Sequence, residues 1–205
     1  MPSTLRYLFS AIAGYLLGSI SVSILLSRHV FHQDIRSAGS GNAGATNAAR
    51  VFGLGAGALT FLGDFVKTLL ALWVGGLLAG VNGACVAGAA ALIGHCFPVY
   101  YGFRGGKGVS TGAAVALCVD WRVFLIAVVV FALAACLSRR ASVASMSAAA
   151  VLTIGAAVLA IAPAQKVLGI FAGTLVIFMH RSNIKRLLAG TEPQFHPGTR
   201  PQKKK

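Results

Sequence analysis

The chain has 205 residues, 57% of them hydrophobic and only 11% charged, and its 18 Lys and Arg stand against four acids for a formal net charge of +14. A soluble domain of this length carries about a quarter charged residues, so an ordinary globular protein is excluded and a membrane protein is expected. The cations sit between apolar runs, which points to membrane topology and an anionic substrate or lipid surface rather than to nucleic acid.

In chain order the apolar runs predict seven spans, at 7–27, 54–79, 82–100, 107–120, 121–138, 143–162 and 165–180. Each needs about 20 residues to cross a hydrocarbon core of about 30 Å. The first run is long enough to span and ends in Ser27-Arg28-His29, so it reads as a transmembrane helix and not as a cleaved signal peptide. The fourth is short and interrupted by Gly112, and is expected to be tilted, half-buried or re-entrant; if that pair does not cross, five spans remain. The fold class is therefore all-α, a polytopic membrane helix bundle. With the N-terminus outside, fourteen of the 18 Lys and Arg fall on the inner side, whereas Arg6, Arg122 and Lys166 lie outside and Lys67 lies within a span. The positive-inside rule then gives an outer N-terminus and a cytoplasmic C-terminus. Residues 1–192 form a single domain, and the Pro-, Gln- and Lys-rich 193–205 reads as a basic, disordered, lipid-facing tail. Cys85, Cys96, Cys118 and Cys136 show no CxxC spacing, so buried inert thiols are expected, with neither a metal site nor a disulfide framework.

Three polar clusters interrupt the apolar chain, all on the predicted cytoplasmic side. The first runs from Asp34 to Arg50 and is dense in Gly, Ser, Asn and Thr. Such a loop can turn backbone N–H groups into an anion-binding concavity, with Arg36 and Arg50 as fixed charge and Ser40, Asn42, Thr46 and Asn47 as polar contacts. A flexible solvated linker is the plain alternative. The second cluster is Gly94 to Thr111, with the core Arg104-Gly105-Gly106-Lys107-Gly108. It fails as a nucleotide P-loop, because Tyr101 stands where the first Gly belongs and Gly108 where Ser or Thr would bind magnesium. What survives is a glycine turn between two cations before a helix N-terminus, a phosphate site with no metal requirement. His95 joins the candidate substrate-binding residues, with a structural hydrogen-bonding role as an equal alternative.

The third cluster runs from His180 to Glu192. If the last span continues as a helix, His180 and Asn183 share a face at i, i+3, one suited to proton traffic and the other to positioning a carbonyl or hydroxyl. A stop-transfer basic patch accounts for Arg181, Lys185 and Arg186 but not for His180 and Asn183. Asp64 and Lys67, at i, i+3 within the second span, read as a structural ion pair bracing the bundle, with a substrate-facing role as the alternative. His29 to Asp34 fits an HX4D spacing found in another acyltransferase class, but the downstream block of that class is missing and the match is put down to chance.

Taken together, these segments resemble the PlsY family, the bacterial membrane acyl-phosphate:glycerol-3-phosphate acyltransferases. The matching stretches are Gly18-Ser-Ile20, Asp34-Ile-Arg36, Gly39-Ser-Gly-Asn42, Ala45-Thr-Asn47 to Arg50, Asp64 to Lys67, Gly94-His95 with Phe97-Pro98, Gly105 to Gly108, and His180 to Glu192. Ser21, Arg104 and Ser110 depart from the usual Pro, Lys and Ala, and Ser21 bears on the bend of the first helix. The resemblance implies seven transmembrane helices in the bacterial plasma (inner) membrane and an active site on the cytoplasmic side. It also implies transfer of a fatty acyl group from acyl phosphate, supplied by a separate synthase, to the 1-hydroxyl of glycerol-3-phosphate, giving lysophosphatidic acid. By motif position Ser40, His180 and Asn183 take catalytic roles, Arg50 and Lys107 bind phosphate, and Glu192 is structural. No cofactor is implied, membrane lipids are the further partner, and a monomer is compatible with these features. An organic-phosphate transporter shares the spans and cationic loops, but would place charges along a midplane path, for which Asp64 and Lys67 are the sole candidates. A structural membrane anchor leaves His180 and Asn183 without a purpose.

Overall fold

The structure, a computed structural model, describes residues 2–194. The basic tail expected from residue 193 lies almost wholly outside the described residues. Within them every regular element is helical. Helix α1 spans Ser3–Ser19, α2 Val22–His29, α3 Ala45–Phe52, α4 Leu54–Cys96, α5 Val109–Val119, α6 Trp121–Ser138, α7 Ala141–Leu159, α8 Pro163–Met179 and α9 Arg181–Leu188, with 3-10 turns at Ile35–Ser37 and Val99–Tyr101. Four stretches (Ser3–His29, Leu54–Tyr101, Trp121–Ser138 and Ala141–Leu159) are long and apolar enough to cross a membrane, and α8 with α9, bent by 51°, makes a fifth.

The 43-residue α4 is a hairpin. Its backbone leaves the helical region at Ala79 and at Gly80, whose φ of 60° favours glycine. A side chain on Gly88 would lie 2.6 Å from Leu72, although sixteen residues of straight helix would separate the two by about 24 Å. The reversal falls at the boundary expected between 54–79 and 82–100. Helix α1 packs along the second arm at backbone contact: a Cβ on Gly14 or Gly18 would meet the carbonyl oxygen of Ala87 or Ala91 at 2.3 or 2.2 Å. Small residues permit this approach in lipid, where helix association relies on close packing.

The first span differs from its expected continuous run over 7–27. Ile20 and Ser21 are extended, so α1 and α2 are separate helices. The break needs no proline. Lys67 donates to the Ile20 carbonyl and Ser21 Oγ accepts from the Ile24 N–H at 3.5 Å, so backbone groups opened by the break find partners. Helix α5 runs unbroken through Gly112, against the interruption expected there; its 11 residues make it about 16 Å long, short of a full crossing. The main apolar core joins α4, α5, α7 and α8 through Leu72, Leu92, Val115, Leu152 and Leu168. Helix α6 sits at the edge, with Val123 its one buried residue.

Candidate active site

A single cavity of about 1240 Å³ collects residues from α3, α4, α5, α6, α7, α9 and the loops at one end of the bundle. All three polar clusters reach it.

The first loop is folded by its own polar groups. Arg28 and Arg36 both bind Asp34, at 3.0 and 2.8 Å, and hydrogen bonding from Arg36 holds the Asp34 carboxyl well below the usual range. Arg36 also donates to the Tyr101 carbonyl at 2.8 Å, tying the first loop to the second. Its guanidinium is therefore engaged in structure, not in the anion binding expected of it. Asp34 has these arginine partners and no contact with His29, which disposes of the HX4D spacing. Asn47 is also structural. Its amide donates to the carbonyls of Ile35, Ala38 and Asn42 and accepts from the Ser40 N–H at 2.8 Å, so no donor remains for a phosphate. Those bonds set Ser40 between Gly39 and Gly41, both at positive φ, on the cavity wall. Asn42 and Thr46 line the same wall, as does Arg50, whose guanidinium donates to no group among the described residues.

The second loop is built differently from its expected form. The Gly105 N–H donates to the Cys96 carbonyl and the Gly106 N–H to the His95 carbonyl, at 3.2 and 3.0 Å. These donors close the C-terminus of α4 and are not offered to an anion. Both glycines are required by proximity, since a Cβ on Gly105 would lie 2.1 Å from the His95 carbonyl oxygen and one on Gly106 2.2 Å from His95 Nε2. Gly108, at φ 82°, starts α5 without lining the cavity, and Arg104 is exposed and does not line it. The group this loop delivers is Lys107. Burial, with the charges of Arg186 and Arg50 nearby, pushes its pKa down to about 8.

Lys107 donates to Asn183 Oδ1, and Asn183 Nδ2 donates to Glu192 Oε1 at 2.7 Å. The other Glu192 oxygen binds Arg186 Nε at 2.7 Å, and Arg140 donates to the Glu192 backbone carbonyl. Burial opposes the Glu192 charge, yet the Asn183 and Arg186 hydrogen bonds hold its carboxyl below the ordinary value. The expected structural role of Glu192 has a geometric form here: it orients the Asn183 amide so that the oxygen faces Lys107. The last span does not continue as one helix. It bends at His180, the cap between α8 and α9, and His180 and Asn183 nevertheless line the same cavity. His180 Nδ1 lies 2.8 Å from the Val176 carbonyl, which can only accept, so Nδ1 carries the hydrogen and Nε2 presents a lone pair.

Asp64 and Lys67 form an ion pair of 2.7 Å within α4, both almost fully buried, and neither lines the cavity. His95 Nδ1 is 3.2 Å from Lys67 Nζ and 3.8 Å from Asp64, while its other edge packs against Gly106 at the cavity wall. Arg139, Arg140 and Arg186 also line the cavity, although their sequence positions suggested only topology. The available signal was their number: two adjacent arginines between spans exceed what orientation requires. No group of three or more potential metal ligands occurs among the described residues.

A family model described as glycerol-3-phosphate acyltransferase matches residues 8–190. The chain belongs to this acyltransferase family. Glycerol-3-phosphate acyltransferases from Jannaschia sp. (strain CCS1) and Mesorhizobium japonicum are 40% and 42% identical to it, over 90% and 92% of this chain and 91% and 96% of theirs. A crystal structure of PlsY, an integral membrane glycerol 3-phosphate acyltransferase in its glycerol 3-phosphate form, superposes with a TM-score of 0.87 at 35% identity, covering 93% of this chain and 96% of the other. The lysophosphatidic acid form gives 0.84 at 34% identity. The resemblance drawn from the sequence is thereby borne out: the chain is a PlsY-family membrane acyltransferase.

Proposed function

We propose that this acyltransferase moves a fatty acyl group from acyl phosphate to the 1-hydroxyl of glycerol-3-phosphate, releasing lysophosphatidic acid and phosphate. The observation that carries this reading is the two-part cavity. Its cationic end holds Arg50, Lys107, Arg139 and Arg186, and an apolar arm runs from there along α6. Two phosphates suit the first part and one acyl chain the second. The acceptor side of the reading is supported by relatives named glycerol-3-phosphate acyltransferase and by a neighbour in a glycerol 3-phosphate form.

In this mechanism Arg50 and Lys107 bind the phosphate of glycerol-3-phosphate as charge-assisted partners. Ser40, with Asn42 and Thr46 at the N-terminal end of α3, receives the donor phosphate. His180 Nε2 accepts a hydrogen bond from the attacking hydroxyl, and Asn183 aligns the acceptor beside Lys107. The hydroxyl oxygen bonds to the acyl carbon, the bond from that carbon to the phosphate oxygen breaks, and the hydroxyl proton leaves on the phosphate. Acyl phosphate is already activated, so proximity and fixed charge suffice without an acyl-enzyme. Seven helical segments are embedded in the bacterial inner membrane, α5 the shortest of them, with the N-terminus outside and the site on the cytoplasmic face, where a separate synthase supplies acyl phosphate. Residues 1–192 act as one domain. The cations of the loops at the cavity end support this orientation.

The test is purified protein in a lipid mesophase with acyl phosphate and glycerol-3-phosphate, following phosphate and lysophosphatidic acid together. Equal release of both is expected, with no product when acyl-CoA replaces acyl phosphate. Product from acyl-CoA alone overturns the donor assignment, and movement of glycerol-3-phosphate across sealed vesicles without acyl transfer overturns the enzyme reading.

A further inference from the structure

We propose that the aromatic cluster Phe61, Phe65 and Phe124 is a stop that sets the length of acyl chain the enzyme accepts; this rests on the acyl-phosphate reading above. The cavity follows one stripe of α6, through Ala135, Phe131, Val128 and Ala127 to Phe124, positions that recur at three- and four-residue spacing and share a face. The opposite walls are made of small residues, Gly112, Ala113 and Ala116 of α5 with Ala148 and Ala149 of α7. Small side chains on these walls leave room for a hydrocarbon chain beside α6.

Aromatic rings end it. Phe61 on α4 and Phe124 on α6 both line the cavity, and Phe65 lies behind them, its centroid 6.1 Å from Phe61 and 6.0 Å from Phe124. Such ring pairs stabilise one another beyond their buried area, so the barrier is braced between two helices and does not rest on one mobile side chain.

The depth gives a length. From Cys136 to Phe124, twelve residues of α6 rise about 18 Å, and from Ser142 to Leu152, ten residues of α7 rise about 15 Å. An all-staggered chain advances ~1.25 Å per methylene, so the arm holds about 12 to 14 extended carbons, and a longer chain must fold back at the rings.

The experiment measures kcat/KM for acyl phosphates of 10 to 20 carbons with the whole chain in a lipid mesophase. For the wild type we expect a fall above about 14 carbons. Ala127→Phe brings a ring one turn, about 4.5 Å, closer to the phosphate end; it should shorten the preferred donor by about four carbons and lower the ratio of the 16-carbon to the 12-carbon donor at least tenfold. Phe124→Ala should raise the ratio of the 20-carbon to the 14-carbon donor at least fivefold, with thermal unfolding recorded alongside. Should Phe124→Ala fail to fold, Ala127→Phe decides alone. If the variants scale every chain length equally, or the wild type uses 20 carbons as well as 14, the stop is overturned while the acyl-phosphate reading stands. If no acyl phosphate of any length yields lysophosphatidic acid, the donor reading has failed and the stop falls with it.

Discussion

Two charge clusters meet at the Gly105–Gly106 turn, and they do opposite work. Asp64, Lys67 and His95 form a closed set: the charges answer each other inside α4, and Lys67 also binds the carbonyl exposed by the break at Ile20. Lys107, Asn183, Glu192 and Arg186 form an open set along the cavity. There the one carboxylate binds Arg186, and Lys107 faces only the neutral Asn183 oxygen. A charge matched by its neighbours holds structure, and a charge matched only in part is available to a ligand. Intramembrane charge is costly enough that each arrangement needs its reason.

Asp64→Leu leaves Lys67 buried without its counter-ion and should cost about 3–5 kcal/mol of stability, read from thermal unfolding in detergent. An activity loss with no change in stability would move this pair into the open set. Lys107→Ala should lower kcat/KM for glycerol-3-phosphate by about a hundredfold, some 2.7 kcal/mol of transition-state binding, with unfolding little changed. A rise in KM for acyl phosphate alone would exchange the two phosphate sites. Glu192→Gln keeps the shape but removes the negative charge that faces Arg186, and should lower activity about tenfold, a loss on the scale of one charge-assisted hydrogen bond.

A smaller, sharper effect concerns pH. Lys107 is a cation below about pH 8 and neutral above it, so kcat/KM should fall about tenfold per unit beyond that point, and Lys107→Arg should flatten the fall. The sign for stability is opposite. The folded state releases this proton more readily than the unfolded chain, so raising the pH from 8 towards 10.5 relieves a folding penalty while activity declines. Parallel loss of both would show that another group governs the profile. Smallest of all, Arg104→Ala should change activity less than about twofold, the usual scale for an exposed charge off the site.

Much of this contrast is legible in the residues. The scarcity of charge marks the membrane class, and a carboxylate three residues from a lysine within an apolar run announces a buried pair. Lys107, His180, Asn183 and Glu192 stand out because each is polar at a span end where orientation requires only positive charge. The role of each glycine is not legible. Gly39 serves a positive φ, Gly14 a close approach, and Gly105 both a close approach and a donor to the end of α4; one letter stands for all three. Arg36 carried a readable signal in Asp34 two residues before it, an acid near enough to occupy the guanidinium. The break at Ile20 was marked only by Ser21 in a position where the family usually has Pro, because its partner is Lys67, 47 residues away.

The closed cluster also bears on how the chain is made. Near the centre of a helix an aspartate or a lysine each opposes insertion by about 2.5–3.5 kcal/mol, and the first arm of α4 carries both. Its second arm brings His95 against them, and the tight reversal at Ala79 and Gly80 delivers that arm immediately behind the first. The two arms are thus suited to leave the translocon as one hairpin, their polar contacts formed before either meets lipid alone. Lengthening the turn between them would expose the charged arm to the bilayer during synthesis and lower the yield of inserted protein, whatever the stability of the finished fold.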